Sequence, residues 1–167
     1  AVSHCFPLTG KKEDPFVVGV PGILGVYREC LPFLSFSGPT NFCPIITECV
    51  KSVRFATQSG IFSYSTLLIL TDGQITDMNE TIDAIIEASS LPISIIIIGI
   101  GNADFSSMDE LDSDKGLLRS KKNPNKMAQR DIVQFVPFNQ FKGNLASLSS
   151  AVLKELPNQV SKYYGTM

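Results

Sequence analysis

The sequence has one histidine, His4, and none of its four cysteines form a C-x-x-C pair. Each scarcity removes a class of chemistry. A Ser-His-Asp or Cys-His enzyme would rest on His4 alone. His4 lies near the start, in a strand-like or loop stretch, and reads as an ordinary surface or packing residue. Without C-x-x-C, a structural zinc site lacks its usual ligand framework. Cys5, Cys30, Cys43 and Cys49 would permit two disulfides. Nothing marks the chain as secreted, however, so buried free thiols are expected. No excess of one charge is present either. Fourteen Lys and Arg face 16 Asp and Glu, a net charge of −2. Nothing here demands the basic face that nucleic acid requires, so no nucleic-acid partner is expected. The longest apolar run, around 95–98, is far too short to span a bilayer. The first residues, Ala1-Val2-Ser3-His4, have neither a basic start nor an apolar h-region. An initiator Met is missing too, which points to a processed or excised piece. G-x-x-x-x-G-K-[ST] and G-x-S-x-G do not occur, which removes the P-loop and the hydrolase elbow.

What is present is apolar material with clear periodicity. Apolar residues are 44% and charged residues 18% of 167 residues, enough for a folded core and about one domain's length. Residues 2–8 read as a short edge strand and 11–15 as a polar loop. Val20, Ile23, Leu24, Tyr27 and Leu31 recur at helical spacing, and Pro32 ends that helix. Phe42, Ile45, Ile46, Cys49, Val50 and Val53 mark a second helix, with Pro44 tolerated in its first turn. Residues 66–70 are continuously apolar, the pattern of a central parallel strand covered on both faces. Asp77 and Glu80 read as a capping box before a third helix carrying Ile82, Ile85 and Ile86. Residues 93–99 form a second buried strand, 105–111 a short helix, 117–129 a polar loop and 132–136 a third strand. Leu145, Leu148, Val152 and Leu156 form a last helix, with Pro157 near its end. No internal repeat or low-complexity tract interrupts this order. Alternating strand and helix defines an α/β fold: a doubly wound, mostly parallel sheet with helices on both faces. Ligands bind such sheets beyond the carboxyl ends of their strands.

That rule directs attention to Thr71-Asp72-Gly73, to 99–104 and to Pro137-Phe138. Gly99-Ile100-Gly101-Asn102-Ala103-Asp104 nearly spells G-x-G-x-x-G. An acid in the last position would face a pyrophosphate, so Asp104 reads as a helix cap instead. Asp104, Asp109, Glu110, Asp112 and Asp114 crowd one stretch. A calcium loop starting at Asp112 would place Leu117 and Asn123 where Gly and Glu belong, so a solvated acidic turn is expected. Arg119, Lys121, Lys122, Lys126 and Arg130 make the next segment basic. They read as a solvated loop, with docking to an acidic partner or lipid headgroups as the other reading. Asp72 is a bare carboxylate at the crevice, suited to a hard divalent cation. An Asp-Gly hairpin is the competing reading, and it loses because a helix follows. Thr40 offers a hydroxyl that either ligates a metal or caps the helix starting near Asn41.

Longer strings carry a resemblance. Gly38-Pro39-Thr40-Asn41-Phe42, Leu67-Leu68-Ile69-Leu70-Thr71-Asp72-Gly73-Gln74-Ile75-Thr76-Asp77 and Arg130-Asp131-Ile132-Val133-Gln134-Phe135-Val136-Pro137-Phe138 are among them. So are the whole of 88–105, Val2-Ser3-His4 and Tyr27-Arg28-Glu29-Cys30-Leu31-Pro32. Together they resemble the von Willebrand factor A domain of the copines over nearly the whole chain. The resemblance implies a non-enzymatic A domain that recruits cytosolic or signalling proteins. In many relatives recruitment runs through a metal-ion-dependent adhesion site holding Mg2+ or Mn2+. It also implies a cytoplasmic protein with two C2 domains that bind phospholipid with Ca2+ and recruit it to the plasma membrane.

Such a site uses D-x-S-x-S, then a Thr, then an Asp. Thr40 matches the second element and Asp72 the third. D-x-S-x-S is absent: the nearest string, Asp104-Phe105-Ser106-Ser107-Met108, fails at its last position and follows the wrong strand. The chain therefore reads as about the C-terminal two-thirds of an A domain, lacking its first strands and the C2 domains. Metal affinity is expected to be weak or absent here, and Ca2+ and membrane binding to belong to the missing C2 domains. Two alternatives accompany this reading. One is the A domain of a copine-related ubiquitin ligase, although the cysteine count excludes a RING finger in this chain. The other is a membrane-surface module acting through basic loop 119–130.

Overall fold

The computed structural model describes residues 2–36, 38–112 and 116–165. The chain divides into two compact units, Ala1–Pro39 and Thr40–Met167.

In the first unit the expected strand over 2–8 does not form; that stretch is irregular. Helix α1 (Gly19–Cys30) falls where its apolar spacing places it. A 3-10 turn, Leu31–Phe33, holds Pro32 and ends the run. His4 is half-buried and shares a shallow depression with Phe6 and Leu34.

The second unit is a parallel sheet with helices around it, the α/β architecture of an A domain. Its strands are β1 (Ser65–Thr71), β2 (Ile93–Gly99) and β3 (Val133–Pro137), in the order β1-β2-β3. Leu68 pairs with Ile96 and Ile97 with Phe135, which fixes both registers. Helix α2 (Cys43–Gln58) precedes β1, and α3 (Met78–Ala88) crosses from β1 to β2. Helix α4 (Met108–Leu111) follows β2, and α5 (Leu145–Val152) and α6 (Leu156–Gly165) follow β3.

Alternation along the strands assigns their side chains to the two faces of the sheet. Ile69, Ile93, Ile95, Ile97, Val133 and Phe135 join Ile46, Val50, Val53, Ile82 and Ile85 of α2 and α3 in one buried cluster. Ser94, Ile96 and Val136 point the other way and are also buried.

Five further expectations need correction. Strand β1 is not covered on both faces: Leu68 is 53% and Leu70 60% exposed. It is also not central, since β2 is its only strand neighbour among the described residues. The short helix expected over 105–111 is confined to Met108–Leu111. The single C-terminal helix is two, because Pro157 stands in the first turn of α6, where a missing N–H costs nothing. The thiols are free, as expected, but all four are half-buried rather than buried. Desolvation nevertheless raises the Cys49 pKa above the ordinary thiol value.

The β1 edge has a measurable consequence. No charged residue lies between Gln58 and Asp72, so the strand lacks the charges that usually guard an edge. We expect the chain to self-associate in sedimentation velocity. Leu70→Lys should increase the monomer fraction and leave the fold intact. A wild-type chain that stays monomeric at high concentration would contradict this expectation.

Candidate functional site at the carboxyl end of the sheet

Four loops meet where the strands end. The loop entering α2 carries Thr40 and Asn41, and the one leaving β1 runs from Asp72 to Asp77. The loop leaving β2 runs over 100–107, and a 3-10 turn, Phe138–Phe141, follows β3. Hydrogen bonds tie neighbouring loops together. The Thr76 N–H donates to the Thr40 carbonyl at 2.9 Å. The Thr76 hydroxyl donates to Asn41 Oδ1 at 2.7 Å. Ile100 N–H donates to the Thr71 carbonyl at 2.7 Å, and Gln74 Nε2 reaches Asp104 Oδ2 at 3.3 Å. Asn139 Nδ2 donates to the Gly101 carbonyl and, at 2.5 Å, to Asn102 Oδ1. Gly101 has φ +94°, a left-handed conformation natural to glycine. Gly99 lets the Phe105 ring fold over the end of β2; a Cβ there would lie 3.0 Å from that ring.

The acids of this crown have different fates. Asp77 occupies the N-cap position of α3, as expected, but its side chain makes no cap hydrogen bond there. Its Oδ1 accepts from Phe42 N–H at 3.0 Å and its Oδ2 from Cys43 N–H at 2.8 Å. The carboxylate therefore satisfies the first amides of α2, at the positive end of that helix's dipole. The Thr81 hydroxyl donates to the same Oδ1 at 3.1 Å. Glu80, the other half of the expected capping box, instead accepts from Lys122 Nζ at 2.7 Å. Asp104 does not cap α4 directly. Its Oδ1 accepts from Ser106 N–H at 2.9 Å, and this bond pulls its pKa below the usual carboxylate value.

Asp72 is different. It is exposed and has no hydrogen bond or ion pair among the described residues. The hydroxyl of Thr40 is likewise exposed and free of partners among the described residues. Thr40 does not cap α2, whose N-cap position is Phe42. Both sequence-derived candidates thus stand on loops that hydrogen bond to each other at the expected end of the sheet. Sequence reasoning missed Thr76, Gln74 and Asn139, and placed Asp77 at the start of α3 without showing that its carboxylate serves α2. The second aspartate of T-D-G-Q-I-T-D was visible, but its partner 35 residues away was not.

The donors of Asp72 and Thr40 are hard oxygens, the type Mg2+ and Mn2+ accept. No group of three or more His, Cys, Asp or Glu side chains gathers around a possible metal among the described residues. Asp77 and Asp104 already serve backbone amides.

An ion pair joins the acidic and basic stretches beside the crown. Lys121 Nζ lies 2.7 Å from Glu110 Oε1. Arg130 is 9% exposed and serves the interior. Asp112 Oδ2 accepts from Phe135 N–H at 2.9 Å, so this acid anchors β3 rather than forming part of a solvated turn. Asp114 lies outside the described residues. Of the five cations in the basic loop, Arg119, Lys126 and Arg130 have no ion pair among the described residues.

Lys122 holds the Glu80 pKa below its usual value, and Glu80 raises that of Lys122. Any contribution to stability is present above the unfolded glutamate pKa and fades as pH falls through the lowered folded value. On the basic side it fades as pH rises through the raised lysine value. Both side chains are about half exposed. Lys122→Met should therefore leave the melting temperature nearly unchanged in physiological salt. A large drop in a thermal melt would contradict this.

The three-stranded parallel sheet with its loop crown is that of an A-domain-like α/β protein. Comparison with known proteins gives the family. The copine family model matches residues 1–167, and the chain belongs to the copine family. It is 43% identical to Copine-C of Dictyostelium discoideum over 162 residues, or 97% of this chain. The chain spans 30% of that protein's length. No helix among the described residues is long and apolar enough to cross a membrane.

Proposed function

We propose that the chain is a non-enzymatic protein-interaction module that recruits cytosolic or signalling proteins at the crown beyond β1 and β2. In this reading Thr40 and Asp72 are the chain's share of a metal-ion-dependent adhesion-type site for Mg2+ or Mn2+. One observation carries it: Asp72 is the crown acid left exposed and unengaged, on a loop bonded to the one that presents Thr40. The ion would supply positive charge for an acidic group of the partner. Thr40 and Asp72 would orient it, and Gln74 and Asn139 keep the surrounding loops in place.

Attraction from one exposed carboxylate is worth about 1 kcal/mol at contact in water, so these residues alone hold an ion loosely. Calcium-dependent phospholipid binding and recruitment from cytoplasm to plasma membrane are proposed for C2 domains of the longer polypeptide. They are not assigned to loop 119–130, where Lys121, Lys122 and Arg130 are already engaged.

Calorimetry with Mg2+ or Mn2+ tests the metal reading. This chain should show no measurable heat of specific binding. A longer chain that includes an upstream D-x-S-x-S should bind, Asp72→Ala should abolish that binding, and Thr40→Ala should weaken it. Tight binding by the present chain, or an indifferent Asp72→Ala in the longer one, would refute the assignment. Liposome sedimentation provides a separate test: strong calcium-dependent pelleting of this chain would overturn the assignment of lipid binding elsewhere.

A further inference from the structure

We infer that Asp77 is a positioning residue: it sets the Thr40 loop against the Asp72 loop without touching a ligand itself. This rests on the reading of Thr40 and Asp72 as one site.

Asp77 ends the loop that starts at Asp72, and one residue later α3 begins. Its carboxylate spends both oxygens across the gap on consecutive amides, Phe42 N–H and Cys43 N–H. Two parallel N–H bonds to one carboxylate fix orientation as well as distance. Phe42 is itself buried, so one of the two amides held by Asp77 belongs to a residue anchored in the core. The residue before Asp77 extends the clasp. Thr76 donates its N–H to the Thr40 carbonyl and its hydroxyl to Asn41 Oδ1. Four successive residues, 40–43, are therefore gripped by the pair Thr76-Asp77.

The grip has a rigid base. The Thr81 hydroxyl, fully buried one turn into α3, donates to Asp77 Oδ1 and restrains the carboxylate from its own side. Asp72 and Thr40 have no bond between their side chains to hold them in register. Their relative placement depends on the hydrogen bonds between the two loops, and Thr76-Asp77 supplies five of them. A local cap at the start of α3 would have stabilised one helix. Spending the carboxylate on α2 instead couples two loops, and the coupled loops are the two that carry the candidate ligands.

Paramagnetic relaxation by Mn2+ detects loose binding and reports distance, so it tests the inference directly. Dilute Mn2+ added to the isotope-labelled chain should broaden the amides of Gly73 and Asn41. Asp72→Ala should remove both effects. If Gly73 does not broaden in the wild type, the metal reading of Asp72 fails, and the positioning claim fails with it.

Given wild-type broadening at both, Asp77→Ala should preserve it at Gly73 and reduce the Asn41-to-Gly73 ratio several-fold. An unchanged ratio in a folded Asp77→Ala variant would overturn the positioning role while leaving the metal reading intact. Thr81→Val removes a bond to Asp77 without opening the clasp. It should lower the melting temperature but leave the ratio alone, which separates positioning from general stability. If Asp77→Ala does not fold, Thr76→Val decides: it removes only exposed hydroxyl bonds to 40–41 and should lower the same ratio. No change with Thr76→Val would then reject the inference.

Discussion

Arg130→Ala is expected to cost about 3 kcal/mol or more, because it strands several buried acceptors at once. The guanidinium lies at the amino end of the sheet, opposite the crown. Its NH2 group donates to the Leu91 carbonyl and, at 2.9 Å, to the Ile93 carbonyl. Its NH1 group donates to Tyr64 Oη at 3.0 Å and to the Gln159 carbonyl at 3.3 Å. The cation also sits 5.2 Å from the Tyr163 ring centre and 5.8 Å from that of Tyr64, within cation–π range. No carboxylate forms an ion pair with it among the described residues.

The bonds continue as a relay. Tyr64 Oη lies 2.8 Å from Ser94 Oγ, which donates to Gln159 Oε1 at 2.5 Å. Gln159 Nε2 then donates to Glu155 Oε2 at 3.3 Å. Such chains polarise each other, and removing the charged donor weakens every member. Arg130→Lys should recover little, since an ammonium cannot span acceptors that a planar fork reaches. Hydrogen exchange gives the sharper readout. Amides of α6 should exchange much faster in Arg130→Ala, while those of β2 slow or quicken only with global stability. Uniform acceleration across the fold would show that Arg130 is not a specific clasp on α6.

The second large effect is in the core. Ile97→Ala should destabilise the fold by about 4 kcal/mol, within the usual range for a fully buried isoleucine cut to alanine. Ile97 is 0% exposed and stands between Ile69 and Phe135 in register. Helices α2 and α3 cover that face and cannot easily collapse into the space. Chemical denaturation checks this, with an unchanged slope expected. Ile100→Ala, at a 41% exposed position three residues on, should cost far less. Equal losses at the two positions would contradict the assignment of faces.

Strands and helices were legible because their signals are local. Apolar periodicity placed α1, α2 and α3, and the run Ile95-Ile96-Ile97-Ile98 could only be a strand buried on both faces. The same signal misled at β1. Leu68 and Leu70 are as apolar as Ile96 and Ile98, but hydropathy records what a residue prefers and not what stands beside it. Pro157 was equally ambiguous, since proline both follows helices and opens them.

In the candidate site, Asp72 and Thr40 were legible from type and place. Asp77 was placed correctly at the start of α3, but the partners of its carboxylate were missed because a capping box is read within four residues, whereas its amides lie in another loop. Arg130 was grouped with Lys121 and Lys122 by charge alone. Nothing local distinguishes a cation that bonds to Glu110 or Glu80 at the surface from one that holds the interior together.

The central claim is that partners dock at the crown through Asp72. Its most direct test is affinity capture from a cytosolic extract in Mg2+, comparing a wild-type longer chain that includes an upstream D-x-S-x-S with its Asp72→Ala variant at equal melting temperature. Lys126→Glu, on the basic loop, provides the control. The account predicts a set of proteins retained by the wild type and by Lys126→Glu but lost with Asp72→Ala. Retention of the same set by Asp72→Ala, or its loss with Lys126→Glu instead, would contradict it.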